Sequence, residues 1–199
     1  MSIEVYSKRK KLNVGDEDDG VVVIDVTKNE TDPTFVKFSP FFPHGRIPIP
    51  GLNHVFTKTV EGAWQGLKVF ENEGVDLSML GTANPKKRSA NQKRGAVVGH
   101  AITRGAGNSS GEEDDLTVII GYVEARKQLY VPMYEYVLEH YLKNEIELLR
   151  GLVREGNRVI LLDYDTNEDI EFTGKPLSHA SLICSFLKQN RIKKSLEDY

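Results

Sequence analysis

A chain of 199 residues with one cysteine, Cys184, cannot close an intrachain disulfide. It also lacks a CxxC pair, and its five histidines are scattered, with no two at zinc-ligand spacing. A disulfide scaffold and a zinc-stapled fold are thereby excluded, and a reducing compartment is the expected setting. Long apolar runs are missing too, so no segment is expected to span a membrane. Met1–Gly15 is polar and basic, without the apolar centre of a signal peptide. Charge of one sign is not in excess: 26 Lys and Arg oppose 29 Asp and Glu, for a net charge of −3. That removes a molecule-wide positive field for gripping nucleic acid, and leaves room only for a local basic patch. Gly105–Gly111 has glycines but no P-loop lysine and no strand–turn–helix frame, so a nucleotide-binding loop is rejected. The expectation is a cytoplasmic protein that works without metal or cofactor. Nothing in the sequence signals an oligomeric state.

What is present is ordinary globular material, 39% apolar and 28% charged. Its length suits a single domain, residues 1–199. Ile3–Tyr6 and Val21–Val26 are β-branched runs on either side of the charged turn Asn13–Gly20, and read as a hairpin or two adjacent strands. Phe35–Phe38 reads as a further strand. Ser39–Gly51 holds four prolines and two glycines, which keeps it out of regular helix and off a central strand. Thr57–Glu71 is the first clear helix, with Thr59 as its cap and Val60, Trp64 and Leu67 recurring on one face. Asp76–Leu80 adds a short helical turn. Thr103–Asp115 is glycine, serine and acids, and reads as a mobile surface loop. Leu116–Ile120 reads as a strand or a helix entry.

Val131–Arg150 is expected to be one long helix, with Pro132 in its first turn and Met133, Val137, Tyr141, Ile146 and Leu149 as its buried stripe. Arg158–Asp163 reads as a strand and Leu177–Gln189 as a last amphipathic helix. The sum is an α+β fold, a single helix-rich domain with a small N-terminal β-sheet.

Glu61, Gln65 and Lys68 fall at i, i+4 and i+7, on one polar face of the first helix, with Trp64 beside them. On spacing alone this is a solvent-facing stripe of weak helical pairs. The irregular Phe/Pro/Gly loop that runs straight into the helix points the other way, because sites are built where loops meet rigid elements. Lys86–Arg94 (KKRSANQKR) reads as a solvated charge run, with a phosphate contact as the minority reading. Cys184 reads as core, and His140 as helix surface.

The same segment carries a family resemblance. FSPFFPHGRIPIPG followed by TVEGAWQGLK resembles the opening signature of the NADAR family, matched by Phe38, Ser39, Phe41 or Phe42, Pro43, Thr59, Val60, Glu61, Trp64, Gln65 and Lys68. A second half follows in order: the Met133 helix, Leu148–Leu162, Asp163 or Asp165, and the Gly174–Lys175 start of the last helix. The resemblance covers about residues 35–190, and it departs at Ile170–Thr173, where the family's usual Trp-Gly pair is replaced by IEFT. It implies a NADAR-like N-glycosidase acting on a riboflavin-pathway intermediate or on ADP-ribosylated guanine. The partner would then be a small nucleotide-like substrate or ADP-ribosylated nucleic acid.

Cleaving a base–ribose bond builds positive charge on the sugar, which a carboxylate beneath the ring stabilises while it activates water. Glu61 is the choice for that role, with Asp163 or Asp165 as a second carboxylate. Lys68 and one of Arg88, Arg126 or Lys127 would hold a phosphate. Phe38, Ser39, Phe41, Trp64, Gln65, Tyr130 and Lys175 complete the expected substrate contacts, and His179 is within conceivable reach. The alternative is a module that binds a nucleotide or ADP-ribose without cleaving it.

Overall fold

The computed structural model describes residues 2–12, 20–27, 32–102 and 118–197, with side chains as far as 189. The fold is α+β. In chain order the elements begin with β1 (Ile3–Ser7), β2 (Val21–Asp25), a 3-10 turn Phe35–Phe38, β3 (Ile47–Pro48) and β4 (Phe56–Thr57). Next come α1 (Val60–Gly66), β5 (Lys68–Phe70), a 3-10 turn Leu77–Gly81, β6 (Val97–Ile102) and β7 (Val118–Ile120). The chain continues through α2 (Tyr122–Ala125), a π-helical turn Arg126–Tyr130, α3 (Val131–His140), α4 (Lys143–Arg154), β8 (Arg158–Asp163) and α5 (His179–Glu197). These elements belong to two compact units, Met1–Ser39 with Val137–Tyr199, and Pro40–Tyr136. The expected loop 103–115 and most of the charged turn 13–20 lie outside the described residues.

The first unit is organised by a parallel sheet in the order β1–β8–β2. Ile3 pairs with Val159 and Ser7 with Asp163 on one side of β8, and Val21 with Arg158 on the other. RVILLD is a nearly unbroken apolar run because both of its edges and both of its faces are covered, as in the central strand of a parallel sheet. Helices α4 and α5 pack on β8, burying Ile146, Leu149, Ile183 and Leu187. This arrangement corrects the expected hairpin or pair of adjacent strands. β1 and β2 run in the same direction with β8 between them, so no tight turn can join them. Phe35–Phe38 is likewise a 3-10 turn and not a strand.

The expected long helix is also corrected. Leu142, at φ −115° and ψ 25°, leaves the helical region and separates α3 from α4. An unbroken helix would keep Tyr141 on the stripe of Val137. The break turns Tyr141 out to solvent and buries Leu142 in its place.

The second unit contains the two-residue β3–β4 ladder and an antiparallel sheet in the order β5–β6–β7. Helix α1 is shorter than its periodicity suggests, because Lys68–Phe70 leaves it to pair with β6, Lys68 opposite His100. Strand pairing across the chain overrides local helical spacing here. Against α1 lies the 3-10 turn Leu77–Gly81, capped by the Asp76 carboxylate, which accepts from Ser78 N at 3.2 Å. The approach is close enough to require glycine. A β-carbon on Gly62 would stand 2.7 Å from the Met79 carbonyl oxygen, and one on Gly66 2.9 Å from that of Asp76.

Candidate active site

Thr59 starts α1 as its sequence implies. The residue is extended at φ −135°, and its hydroxyl accepts from Gly62 N at 2.8 Å. The proline-rich loop feeds directly into this turn, where Glu61 N donates to the Pro40 carbonyl at 2.9 Å. A run of side chains then follows along the helix and into β5. Gln65 Nε2 donates to Glu61 Oε1 at 2.6 Å, and Lys68 Nζ donates to Gln65 Oε1 at 2.8 Å. Arg88 N donates to that same amide oxygen at 2.8 Å, and Lys68 Nζ also reaches the Arg88 carbonyl at 3.2 Å. Two donors on its oxygen fix which way the Gln65 amide faces, so its NH2 is directed at Glu61.

This stripe is not solvated. Glu61 is 9% exposed, Gln65 2% and Lys68 9%. The solvent-facing reading of the spacing is overturned, since seven consecutive residues of α1 are buried. Burial pushes the Lys68 amine down to about 8, with Lys87 and Arg88 adding to the effect and the Glu61 carboxylate opposing it.

An aromatic wall stands beside the stripe. The Trp64 ring lies 4.0 Å from that of His100 at 31°, and meets Tyr122 and Tyr130 edge-on at 5.8 and 5.5 Å. Arg126 is buried with its guanidinium over Tyr122, 4.4 Å from the ring centroid, and donates to the Tyr122 hydroxyl at 3.0 Å. His100 is the residue that sequence reasoning missed. It is fully buried, and among the described residues its ring nitrogens make no hydrogen bond of good geometry, the Trp64 backbone being the polar group that acts on it. Burial first, and then the Lys68 cation, push its pKa down to about 3, so the imidazole is neutral at any physiological pH. Only the Lys68–His100 strand pairing could have revealed it, and the helical pattern across Lys68 hid that strand.

Arg88 has a different task from the expected one. Its guanidinium donates to the carbonyls of Gln65 and Lys68, both at 3.0 Å, to Gly74 O at 2.6 Å and to Glu73 Oε1 at 2.7 Å. The Gln65 and Lys68 carbonyls belong to the end of α1 and the start of β5, so Arg88 clamps the helix-to-strand junction. Hydrogen bonds from Arg88 and then Arg94 hold the Glu73 carboxyl below the usual range. Within Lys86–Arg94, two arginines are thus structural. Lys127 is part-exposed beside Glu124 at 3.6 Å, Tyr130 is buried, and Phe41 is exposed.

The remaining expected residues belong to the first unit. Phe38 and Ser39 are buried and Lys175 is exposed. Asp163 Oδ2 accepts from Ser178 Oγ at 2.7 Å, from Ala180 N at 3.4 Å and from His179 Nδ1 at 3.0 Å. Its Oδ1 accepts from Tyr164 N at 2.7 Å, and His179 Nε2 faces the Val26 carbonyl at 2.9 Å. Burial would raise the Asp163 pKa, but the hydrogen bond and charge of His179 and the Ser178 hydroxyl outweigh it and hold it low. Burial would likewise lower His179, and Asp163 and Val26 outweigh that and raise it. The pair is a charged anchor for the first turn of α5. Asp165 faces Arg9 at 3.5 Å. Of the expected residues, the second unit therefore brings together Glu61, Trp64, Gln65, Lys68 and the backbone of Arg88, with Arg126 and Tyr130 at the aromatic wall. Both aspartates are placed in the first unit. Among the described residues, no group of three or more His, Cys, Asp or Glu could hold a metal ion.

Over residues 6–183 the chain matches the family of unknown function DUF6939, and it belongs to that family. No curated protein and no solved structure matches it.

Proposed function

We propose that this family member is a hydrolase of N-glycosidic bonds, cleaving the base–ribose bond of a phosphorylated or ADP-ribosylated ribosyl substrate. One observation carries the reading: a nearly buried carboxylate, Glu61, is held by an amide whose orientation is locked by Lys68 and by the Arg88 backbone. A surface stripe has no use for such an arrangement. Bond cleavage does, because a fixed negative charge in a dry site stabilises a developing cation without reorganising.

In the reaction, the C1′–N bond breaks and its electron pair leaves on the base nitrogen, which takes a proton from solvent. Water adds to C1′ and gives its proton to Glu61, which returns it to solvent. Trp64, Tyr122 and Tyr130 offer a wall of the kind a base packs against, and the resemblance of TVEGAWQGLK to the NADAR signature supports the same assignment. Lys68 supplies a cation linked to Glu61 through Gln65. Arg126, whose guanidinium lies over Tyr122 at the aromatic wall, is assigned the phosphate role. Asp163, which is committed to His179 and Ser178, acts as an anchor and not as a second catalytic carboxylate. The protein would act in the cytoplasm, where such substrates occur and where Cys184 stays reduced.

The test is mass spectrometry of a panel of ribosyl substrates incubated with the protein, scored for free base. Glu61→Gln keeps the side-chain shape and is expected to keep the fold while lowering turnover by about 10²-fold or more. Wild-type turnover in this variant, on a substrate the wild type cleaves, would remove Glu61 from its role.

A further inference from the structure

Four consecutive basic residues, Lys8, Arg9, Lys10 and Lys11, leave the end of β1, and Tyr164 leaves the end of β8 beside them. The two strands are parallel neighbours with Ser7 opposite Asp163, so these residues emerge together at the carboxyl edge of the sheet. That edge is where parallel sheets most often present their ligand contacts. The tetrad is not a loose tail. Lys8 N donates to the Asp163 carbonyl at 2.7 Å, Lys10 N to that of Ser7 at 3.0 Å, and the Tyr6 hydroxyl to that of Lys11 at 3.1 Å.

Tyr164 is 49% exposed, a large aromatic left half in solvent, with Lys8 Nζ 5.3 Å and Arg9 Cζ 5.8 Å from its ring centroid. Lys8 is committed to Asp25 and Thr27. Arg9 is 64% exposed, and its carboxylate partner among the described residues is Asp165, at 3.5 Å. A pair that open contributes little, and re-pairing with a phosphate costs little. Lys10 and Lys11 are exposed, and no carboxylate pairs with them among the described residues.

An exposed aromatic with two cations at its ring and two more beside it in the chain, on a fixed backbone, has the chemistry of a single-strand platform: a base stacks on the ring while phosphates meet the cations. We propose that this surface binds single-stranded nucleic acid, with Tyr164 stacking on one base and Arg9, Lys10 and Lys11 contacting the flanking phosphates. A duplex hides the base faces that Tyr164 would use, and so binds more weakly. The inference stands apart from the glycosidase reading, because none of its residues is in the Glu61 site.

Fluorescence anisotropy with a short labelled oligo(dT) strand tests it directly. Affinity is expected to fall with salt, with a log–log slope of about −2 if three phosphates are contacted. K10E/K11E should weaken binding about tenfold or more and flatten that slope. Tyr164→Ala should weaken it about tenfold with little change of slope, and Tyr164→Phe should restore it. All three variants should keep the wild-type melting temperature, and E61Q should bind the strand as the wild type does. The proposal is overturned if no salt-dependent binding appears, if neither K10E/K11E nor Tyr164→Ala changes it, or if a duplex of the same length binds equally well. Binding to anionic phosphatidylserine vesicles without binding to the strand would also overturn it, and would identify a membrane surface instead.

Discussion

At the residue scale, the two buried histidines show how environment sets a side chain's role. His100 sits against Trp64 with no well-formed hydrogen bond at either nitrogen among the described residues and is pushed toward its neutral form, whereas His179 is bonded at both nitrogens and shifted toward its charged form. The second case has a pH signature. Asp163 is lowered in the fold, so its stabilisation is fully present above its unfolded value of about 3.9 and is lost as pH falls through the lower folded value. His179 is raised, so its contribution is complete below about 6.5 and is lost as pH rises through the folded value. The pair is therefore worth most between about pH 4 and 6.5. His179→Gln should lower the melting temperature most at about pH 5.5 and progressively less above about pH 7, as calorimetry across pH 4.5–9 would show. A deficit that is flat across that range would mean that the imidazole is neutral in the fold.

At the element scale, the sequence was most readable where local chemistry and packing agree. Thr59 caps α1 by its hydroxyl, RVILLD forms a strand, and the helix after the Thr173–Pro176 entry turn forms as its apolar spacing implies. It misled where a distant partner decides the outcome. Nothing near Ile3 or Val21 announces that β8, far along the chain, will sit between them, and Lys68 keeps helical spacing while belonging to a strand. The Glu61–Gln65–Lys68 stripe was visible as a pattern, but its burial was not, because what meets Gln65 and Lys68 is Arg88, some twenty residues on, while residues 76–80 close on the neighbouring Gly62–Gly66 face.

The glycines of that contact make a clean test. Gly62→Ala places a methyl group against the Met79 carbonyl and should cost about 1–3 kcal/mol, since a packed backbone yields poorly. Gly151→Ala lies within α4 facing open space and should instead stabilise by up to about 1 kcal/mol. Urea unfolding of the two variants distinguishes them by sign. A harmless Gly62→Ala would show that α1 and its covering turn can separate without cost.

At the scale of the whole molecule, the two units are built differently along the chain. The parallel-sheet unit draws on both ends, since β1 and β2 complete a sheet whose central strand is β8. The unit that holds Glu61 is continuous, Pro40–Tyr136, and owns its sheets, its helix α1 and a set of buried side chains from Ile47 to Met133. About 100 residues with such a core exceeds the size at which small domains fold alone. A fragment of residues 40–140, which keeps α3 whole, is therefore expected to fold by itself. Trp64 is the chain's one tryptophan and is nearly buried against His100, Tyr122 and Tyr130, so its emission reports on this unit and on nothing else. The fragment should show the blue-shifted Trp64 emission of the full chain and lose it in one cooperative thermal transition. Emission at the wavelength of free indole, with no transition, would mean that the Glu61 unit depends on the sheet of the first unit for its folding.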